Sequence, residues 1–204
     1  MIKGIDVSSY QGTIDWDSVR GDGMDFVIIR SIIRNGKPDS RFEEYYKMAA
    51  AAGFNPDVYV YMYDTTIPDT RERIRKVIRL LKGKEAYPRV WLDMEEPGLR
   101  TLSAAHLTEL ILDSTAQLEA AGYAAGIYCN KDWCDHVLEV AKLPYPFWIA
   151  RYGKNDGCAR DKYRPEHADI WQYTSKGKVC GITGPVDRNI CYGKELFTTE
   201  AAAV

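Results

Sequence analysis

The sequence predicts an α/β barrel, and two patterns in the chain support this fold class. Short apolar runs recur along the 204 residues, and amphipathic stretches separate them as far as residue 152. This alternation is typical of successive β-α units around a closed parallel sheet. Because no low-complexity linker or block of like charge interrupts it, we expect a single domain over residues 1–204, with a core at about 3–197.

Eight apolar runs are rich enough in β-branched and aromatic residues to be strands. They are residues 4–8, 26–31, 58–63, 89–93, 124–128, 147–152, 170–173 and 186–190. After residue 152 the connecting segments contain Gly and Pro and show no helical period, so we expect the helical layer to be missing on the C-terminal side. The prediction is an irregular TIM-like barrel with eight strands and about five helices.

Hydrophobic periodicity predicts helices between the earlier strands. In the clearest case, apolar residues at 74, 77, 78 and 81 share one helical face, with Asp69 as the expected N-cap and Gly83 as the expected stop. The same pattern predicts a helix between Ser103 and Gly122, and another over residues 42–52.

The composition argues against several kinds of partner. The 27 basic and 29 acidic residues nearly balance, which gives a formal net charge of -2 and no electrostatic footprint for nucleic acid. No apolar run approaches the ~20 residues that a bilayer requires, and no signal peptide precedes the first predicted strand. We therefore expect no nucleic-acid or membrane partner, a monomer, and a neutral or carbohydrate ligand.

The chain has five cysteines, an odd number, and the domain is large enough to fold without disulfide bonds. A complete disulfide framework is therefore not expected. Cys129 and Cys134 lack the second Cys or His pair that a structural zinc site needs. They are interpreted as small buried apolar residues, and no metal or cofactor is predicted.

The strongest local signal is VWLDMEEP at residues 90–97. The period of two in a strand points Trp91, Asp93 and Glu95 to one face, so two carboxyl groups share a small space and raise each other's proton affinity. One can stay protonated while the other is ionised, as glycosidic bond cleavage requires. Taken alone, such a pair more often caps a helix or binds an arginine, and that alternative stays open for the pair in isolation.

Two further predicted strands are interpreted as ending in acids, at Asp6 and Asp187. In a barrel of this kind the active site lies at the carboxyl ends of the strands. If the strands close as predicted, these two acids converge with Asp93 and Glu95, an arrangement that costs stability and is usually kept for function. The four acids are therefore the predicted catalytic residues.

Aromatic residues near the same strand ends could supply flat faces on which sugar rings stack. The candidates for substrate binding are Tyr61, Tyr63, Tyr152, Trp171 and Tyr173. Each taken alone could equally belong to the core. Arg30 is a further candidate that either balances the negative pocket or forms a salt bridge outside it, whereas Gln172 is expected on the opposite face from its neighbours.

Several motifs in order along the chain carry a resemblance to a known family. They are GIDVSSYQG with the following IDW, FVIIR, VWLDMEE, GIYCN, FWIARYG and IWQYTSKGKVCGITGPVDRN. The chain resembles the family-25 glycoside hydrolases, lysozymes that cleave between N-acetylmuramic acid and N-acetylglucosamine. The resemblance implies a barrel of eight strands and five helices, peptidoglycan strands as the partner and action at the bacterial cell wall. It also implies that Asp6, Asp93, Glu95 and Asp187 are the active-site acids, with Glu95 as proton donor.

The position of Asp93 suggests a separate role. Two acids on one strand approach the sugar from the same side, so Asp93 is expected to orient the 2-acetamido group of the substrate rather than attack the anomeric carbon. Three alternatives remain: a wall-glycan binding module without catalysis, an endo-hexosaminidase or chitinase, and a divalent-metal site at Asp93, Glu95 and Asp187. A phage-type lysin and an excised domain of a secreted protein are both compatible with the sequence.

Overall fold

A computed structural model describes residues 2–84 and 87–197 and shows a closed barrel of eight strands, arranged in the order of the sequence. The predicted fold class is confirmed. The strands are β1 (Ile2–Val7), β2 (Phe26–Arg30), β3 (Asp57–Tyr61), β4 (Val90–Asp93), β5 (Ala125–Asn130), β6 (Phe147–Ala150), β7 (Ile170–Gly177) and β8 (Val186–Cys191).

The barrel is irregular because its last strand runs in the opposite direction. Neighbouring strands from β1 to β7 pair in parallel, whereas β8 is antiparallel to both β7 and β1. A short loop rather than a helical crossover joins β7 to β8, and such a connection returns the chain antiparallel. The first residues of β8 therefore lie at the same end of the barrel as the last residues of the other strands.

The helical layer covers only part of the barrel, as predicted. Five α-helices lie in the described residues, and all precede β6. They are α1 (Trp16–Gly21), α2 (Phe42–Ala51), α3 (Ile67–Leu81), α4 (Ala104–Ala120) and α5 (Lys131–His136). After β6 the described chain forms only short 3-10 turns, at Asp161–Tyr163 and Lys194–Phe197. No helix in 2–84 or 87–197 is both long and apolar enough to cross a bilayer.

Polar side chains cap the first turns of α1, α3, α4 and α5, whereas α2 begins without a side-chain cap. Ser103 caps α4 as predicted, since its side chain accepts a hydrogen bond from the backbone N–H of His106. The expected cap of α3 at Asp69 is wrong: Thr66 is the N-cap and accepts from the backbone N–H of Asp69. The earlier start is favoured by Pro68, whose missing N–H costs nothing in a first turn.

The apolar residues form two cores. The larger core lies between the barrel and its helices, and the smaller one fills the barrel interior. The interior core contains Phe26, Ile28, Trp91, Tyr128, Trp148, Ala150, Ile170 and Cys191. A Cβ on Gly126 would lie 2.5 Å from the ring of Trp91, so glycine allows this indole to fit inside the barrel. The packed interior forms the floor of the open barrel end.

Candidate active site

A cleft of about 280 Å³ opens at the barrel end where β1 to β7 terminate. Its lining includes all four acids predicted from the sequence, Asp6, Asp93, Glu95 and Asp187. Asp93 is the last residue of β4, and Glu95 lies two residues further, in the loop rather than in the predicted strand extension. The structure therefore brings the four acids together.

Asp187 reaches the cleft by a different route from the one predicted. It does not end a strand but is the second residue of β8, directly opposite Asp6 in the antiparallel pairing with β1. The sequence interpretation assumed eight parallel strands, in which an acid at the start of β8 would lie at the far end of the barrel. Reversal of β8 places Asp187 among the other acids.

The pKa values of the clustered carboxyl groups are raised above their ordinary range. Burial, then the charges of Glu95 and Asp6, raise the pKa of Asp93 well above its ordinary value. Burial, then Asp187, raise the pKa of Asp6 well above its ordinary range, and burial raises the pKa of Asp187 to about 6. Because the groups are close and desolvated, ionisation of one makes ionisation of the next harder, and their titrations are linked.

Glu95 receives a hydrogen bond from Asn130 that opposes the effect of burial on its pKa. Burial raises its pKa, the side chain of Asn130 donates a hydrogen bond that lowers it, and the charge of Asp187 raises it. Asn130 is held in place as the N-cap of α5, where its Oδ1 accepts from the backbone N–H of Trp133 at 3.1 Å. Glu95 therefore binds its proton more tightly than an exposed glutamate does, and it is held in a defined orientation. Sequence reasoning missed Asn130, although its position at a strand-to-helix junction was a signal.

Asp93 presents a free acceptor. The residue is 4% exposed, and its Oδ1 has no hydrogen-bond partner within the described chain. A buried carboxylate oxygen without a partner carries a desolvation cost that a bound donor can remove. Asp93 is therefore suited to accept a hydrogen bond from an N–H or O–H group of a ligand.

Asp6 is held by two amide side chains that the predicted site did not include. Its Oδ2 accepts from Gln172 Nε2 at 2.9 Å and from Asn189 Nδ2 at 2.8 Å. Gln172 faces the cleft, because Ile170 and Gln172 are the residues of β7 that point into the barrel. The period of two in β7 could have identified it, once the inward face of the strand was known.

Three of the predicted aromatic residues line the cleft, namely Tyr61, Tyr63 and Tyr152. The rings of Tyr61 and Tyr63 lie 4.5 Å apart, centroid to centroid, and their planes are inclined by 32° to each other. Further aromatic lining residues that sequence reasoning did not select are Tyr10, Tyr59, Tyr128 and Trp148. Their rings give the cleft the flat apolar walls that suit sugar rings.

The placement predicted for Trp171 and Tyr173 is wrong. Both residues belong to the core outside the barrel, and Trp171 is 1% exposed with its indole N–H donating to the carbonyl of Arg151 at 2.9 Å. Consecutive strand residues point to opposite faces, so the inward position of Gln172 places both aromatic neighbours outside. These two rings are structural.

Arg30 lies in the cleft, as one interpretation of the sequence expected, and it forms its salt bridge there rather than outside the cleft. It lines the cleft, and its guanidinium also pairs with the buried carboxylate of Asp39 at 2.6 Å. Arg34 extends the basic edge, with its guanidinium 4.7 Å from the ring centroid of Tyr63. The cleft therefore has an acidic centre and a basic edge. In the described part of the chain, no group of three His, Cys, Asp or Glu side chains is arranged to hold a metal ion.

The chain matches known glycosidases over most of its length. The family model described as glycosyl hydrolases family 25 matches residues 5–182. Lysozyme M1 of Streptomyces globisporus is 28% identical over 199 residues, which cover 92% of this chain and 67% of that protein. The range matched by the family model contains Asp6, Asp93 and Glu95, and Asp187 lies five residues beyond it.

Two solved structures have the same fold. The bacterial lysozyme from Streptomyces coelicolor is 27% identical with a TM-score of 0.72, covering 94% of this chain and 92% of its own. The catalytic domain of endolysin ply40 from bacteriophage P40 of Listeria monocytogenes is 29% identical with a TM-score of 0.81, covering 96% and 95%. This chain belongs to glycosyl hydrolase family 25 and is a glycoside hydrolase of the lysozyme type.

Proposed function

We propose that this enzyme cleaves the β-1,4 bond between N-acetylmuramic acid and N-acetylglucosamine in peptidoglycan, with Glu95 as general acid and then general base. The observation that carries the proposal is the pairing of two unlike carboxyl groups. Glu95 is part-exposed with a raised pKa and a fixed orientation from Asn130. Asp93 is buried beside it with a free oxygen. The proposal therefore assigns proton transfer to the part-exposed Glu95 and substrate holding to the buried Asp93.

In the first step, the glycosidic bond breaks, a bond to the acetamido oxygen forms, and Glu95 transfers a proton. The acetamido oxygen of the sugar on the non-reducing side attacks its own anomeric carbon, and the bond from that carbon to the bridging oxygen breaks. Glu95 gives its proton to the departing oxygen. Asp93 accepts the amide N–H through its free Oδ1, which orients the acetamido group and stabilises the positive charge that develops on it.

The second step returns the enzyme to its starting state. Water attacks the anomeric carbon from the face that the leaving group vacated, and Glu95, now ionised, takes a proton from that water. The bond to the acetamido oxygen breaks, and the product keeps the β configuration. Glu95 therefore gives up one proton in the first step and recovers another from water in the second.

The basic edge of the cleft favours a muramic acid substrate over chitin. N-acetylmuramic acid carries a lactyl carboxylate, whereas chitin is uncharged. Arg34 has no acidic partner among the described residues and lies on the cleft residue Tyr63. An unneutralised arginine beside a sugar-binding face offers a charge-assisted hydrogen bond to such a carboxylate.

We further propose that the enzyme acts on peptidoglycan at the bacterial cell wall as a monomer, without a nucleic-acid or membrane partner. Support comes from relatives that include a bacterial lysozyme and the catalytic domain of a phage endolysin. The near balance of charge gives no reason to expect a polyanionic partner.

Identification of the new reducing end tests the proposal. Purified peptidoglycan is digested with the parent protein or with Glu95→Gln, the products are reduced with borohydride, and mass spectrometry identifies the reduced sugar. We expect reduced muramic acid from the parent, with or without a chelator, and none from the variant. Reduced glucosamine would contradict the bond assignment. Binding to walls without new reducing ends would indicate a binding module, and loss of activity in chelator would indicate a metal site.

A further inference from the structure

A hydrogen-bonded network beneath the cleft determines how Asp6 is held. One arm runs from Trp148 through Asn189: the indole N–H donates to Asn189 Oδ1 at 2.8 Å, and Asn189 Nδ2 donates to Asp6 Oδ2 at 2.8 Å. An indole nitrogen can only donate a hydrogen bond. The oxygen of Asn189 must therefore face Trp148, and its amide nitrogen must face Asp6. This arm has one possible orientation.

The second arm runs through Gln172, which is 2% exposed. Its Oε1 accepts from the hydroxyl groups of Tyr128 at 2.9 Å and Tyr152 at 2.8 Å, and its Nε2 donates to Asp6 Oδ2 at 2.9 Å. Tyrosine hydroxyl groups can either donate or accept. This arm could therefore be reversed, with the oxygen of Gln172 facing Asp6, if Asp6 carried its proton on Oδ2. The direction of Gln172 and the location of that proton are linked.

In the observed direction, both in-plane acceptor sites of Asp6 Oδ2 are occupied by N–H donors. A proton on Asp6 must then sit on Oδ1. No hydrogen bond to Oδ1 is formed within the described chain, and Asp6 lines the cleft. A neutral Asp6 consequently presents an O–H donor to the cleft rather than a second acceptor.

We propose that Gln172 is a positioning residue for the reaction: oriented by Tyr128 and Tyr152, it confines the proton of Asp6 to Oδ1 and so makes Asp6 a hydrogen-bond donor in the cleft. This inference rests on the proposed function of the same site. It goes beyond the four acids, because it assigns a role to the neutral amide of Gln172. That amide determines whether the proton of Asp6 lies on Oδ1 or on Oδ2.

The position of the proton on Asp6 is important because several other titratable groups surround this carboxyl. The titratable groups that face it from the neighbouring elements are Asp187 on β8, Asp93 on β4, Glu95 beyond β4, Tyr59 on β3, Tyr128 on β5 and Tyr152 after β6. The nearby cation, Arg30, is paired with Asp39. Because Arg30 is already neutralised by Asp39, a neutral Asp6 with a directed proton reduces the repulsion on Asp187 and Glu95.

Two substitutions of Gln172 separate positioning from a structural role. Gln172→Met keeps the length of the side chain but provides no donor to Asp6. Gln172→Glu accepts from both tyrosines, and it can donate an O–H to Asp6 Oδ2 only while the introduced carboxyl is protonated. We expect the methionine variant to lose about 10-fold or more in kcat at every pH, with KM within about twofold. The glutamate variant should approach the parent at acidic pH and lose activity as pH rises.

Matched controls are Gln117→Met and Gln117→Glu, at a glutamine on α4 that bonds to Asp113 on the outside of the barrel. Both should retain the kcat and pH profile of the parent. If Gln172→Met and Gln172→Glu lose activity equally at all pH values, or if KM alone changes, the positioning role is wrong. Thermal unfolding of each variant shows whether the fold is intact.

A readout without activity keeps this inference separate from the proposed function. The carboxyl carbon of Asp6 is followed by NMR in protein labelled with ¹³C-aspartate, and Asp6→Asn assigns its signal. Loss of a donor to the ionised form should raise the apparent pKa of Asp6 in Gln172→Met and leave it unchanged in Gln117→Met. An unchanged titration in Gln172→Met would overturn the inference. Failure of the parent to release muramic acid ends would instead refute only the proposed function.

Discussion

Asp6 on β1 and Asp187 on β8 lie directly opposite each other in the antiparallel pairing that closes the barrel. Like charges opposite one another on neighbouring strands are destabilising. Here they lie at the mouth of a cleft that also contains Asp93 and Glu95, and the pKa of Asp187 is raised to about 6. The closure of the barrel therefore assembles the acid cluster, and its consequences for rate, pH dependence and stability can be measured.

Glu95→Gln should reduce hydrolysis by a factor on the order of 10² or more, because an amide keeps the shape of the side chain but cannot donate a proton to the leaving oxygen. The measurement is the rate of release of reducing ends from peptidoglycan. Glu96→Gln is the matched control, since the neighbouring acid does not line the cleft. Activity of Glu95→Gln within a few-fold of the parent would remove Glu95 from the role of acid.

Asp187→Asn should move the high-pH limb of the activity profile to lower pH. The negative charge of Asp187 raises the pKa of Glu95, so removing it lets Glu95 lose its proton earlier as pH rises. The profile of kcat/KM is measured from acidic to alkaline pH for the parent and the variant. A high-pH limb at the parent position would show that the two carboxyl groups do not interact.

The same substitution should stabilise the fold at neutral pH. The pKa of Asp187 is raised from 3.8 to about 6, so the folded state binds more protons than the unfolded state between these values. The free energy of unfolding therefore falls as pH rises through this window. Asp187→Asn removes that loss, so its advantage should grow to about 1 to 3 kcal/mol above pH 6.

Thermal unfolding at pH 4 and pH 7.5 measures this difference. Asp156→Asn is a control of opposite sign, because the hydrogen bonds from Arg160 lower the pKa of Asp156 to about 2. That variant should be less stable than the parent at neutral pH, with the difference disappearing in acid. The prediction for Asp187→Asn is wrong if its advantage over the parent is the same at both pH values.

Trp171→Ala should mainly reduce stability, whereas Tyr63→Ala should mainly reduce glycan binding. Trp171 is fully buried outside the barrel, and loss of a core aromatic costs roughly 3 to 5 kcal/mol. Tyr63 is part-exposed in the cleft, so its loss should mainly weaken the affinity for glycan fragments. Unfolding experiments and fragment titrations on both variants test the assignment. Weak fragment binding by a stably folded Trp171→Ala would return that ring to the cleft.

The role of Asp93 predicts the stereochemistry of the product. Acetamido participation involves two displacements at the anomeric carbon, so the first product should be the β anomer. Proton NMR of the products before mutarotation shows the anomer directly. An α anomer would indicate direct attack by water, and a covalent sugar trapped on Asp93 would make that residue the nucleophile. Either result would exclude the proposed role.

The sequence by itself determined the fold class and the identity of the acids. Apolar runs alternating with amphipathic helices predicted the barrel, since period and length distinguish strands from helices locally. The missing helices after β6 could also be predicted, because the segments there lack a helical period. Asp93 and Glu95 could be selected because a period of two along one segment places both carboxyl groups on one side of it.

Only the tertiary structure decided the direction of β8 and the inward face of β7. A loop of a few residues between two strands does not specify in the sequence where the second strand pairs, yet the pairing of β8 with β1 brings Asp187 to Asp6. In β7 both faces are buried, so alternation shows that Gln172 and Trp171 point in opposite directions without showing which points inward. Closure of the barrel determines which face of β7 points inward, because only one face can pack against the inward-facing residues of the other strands.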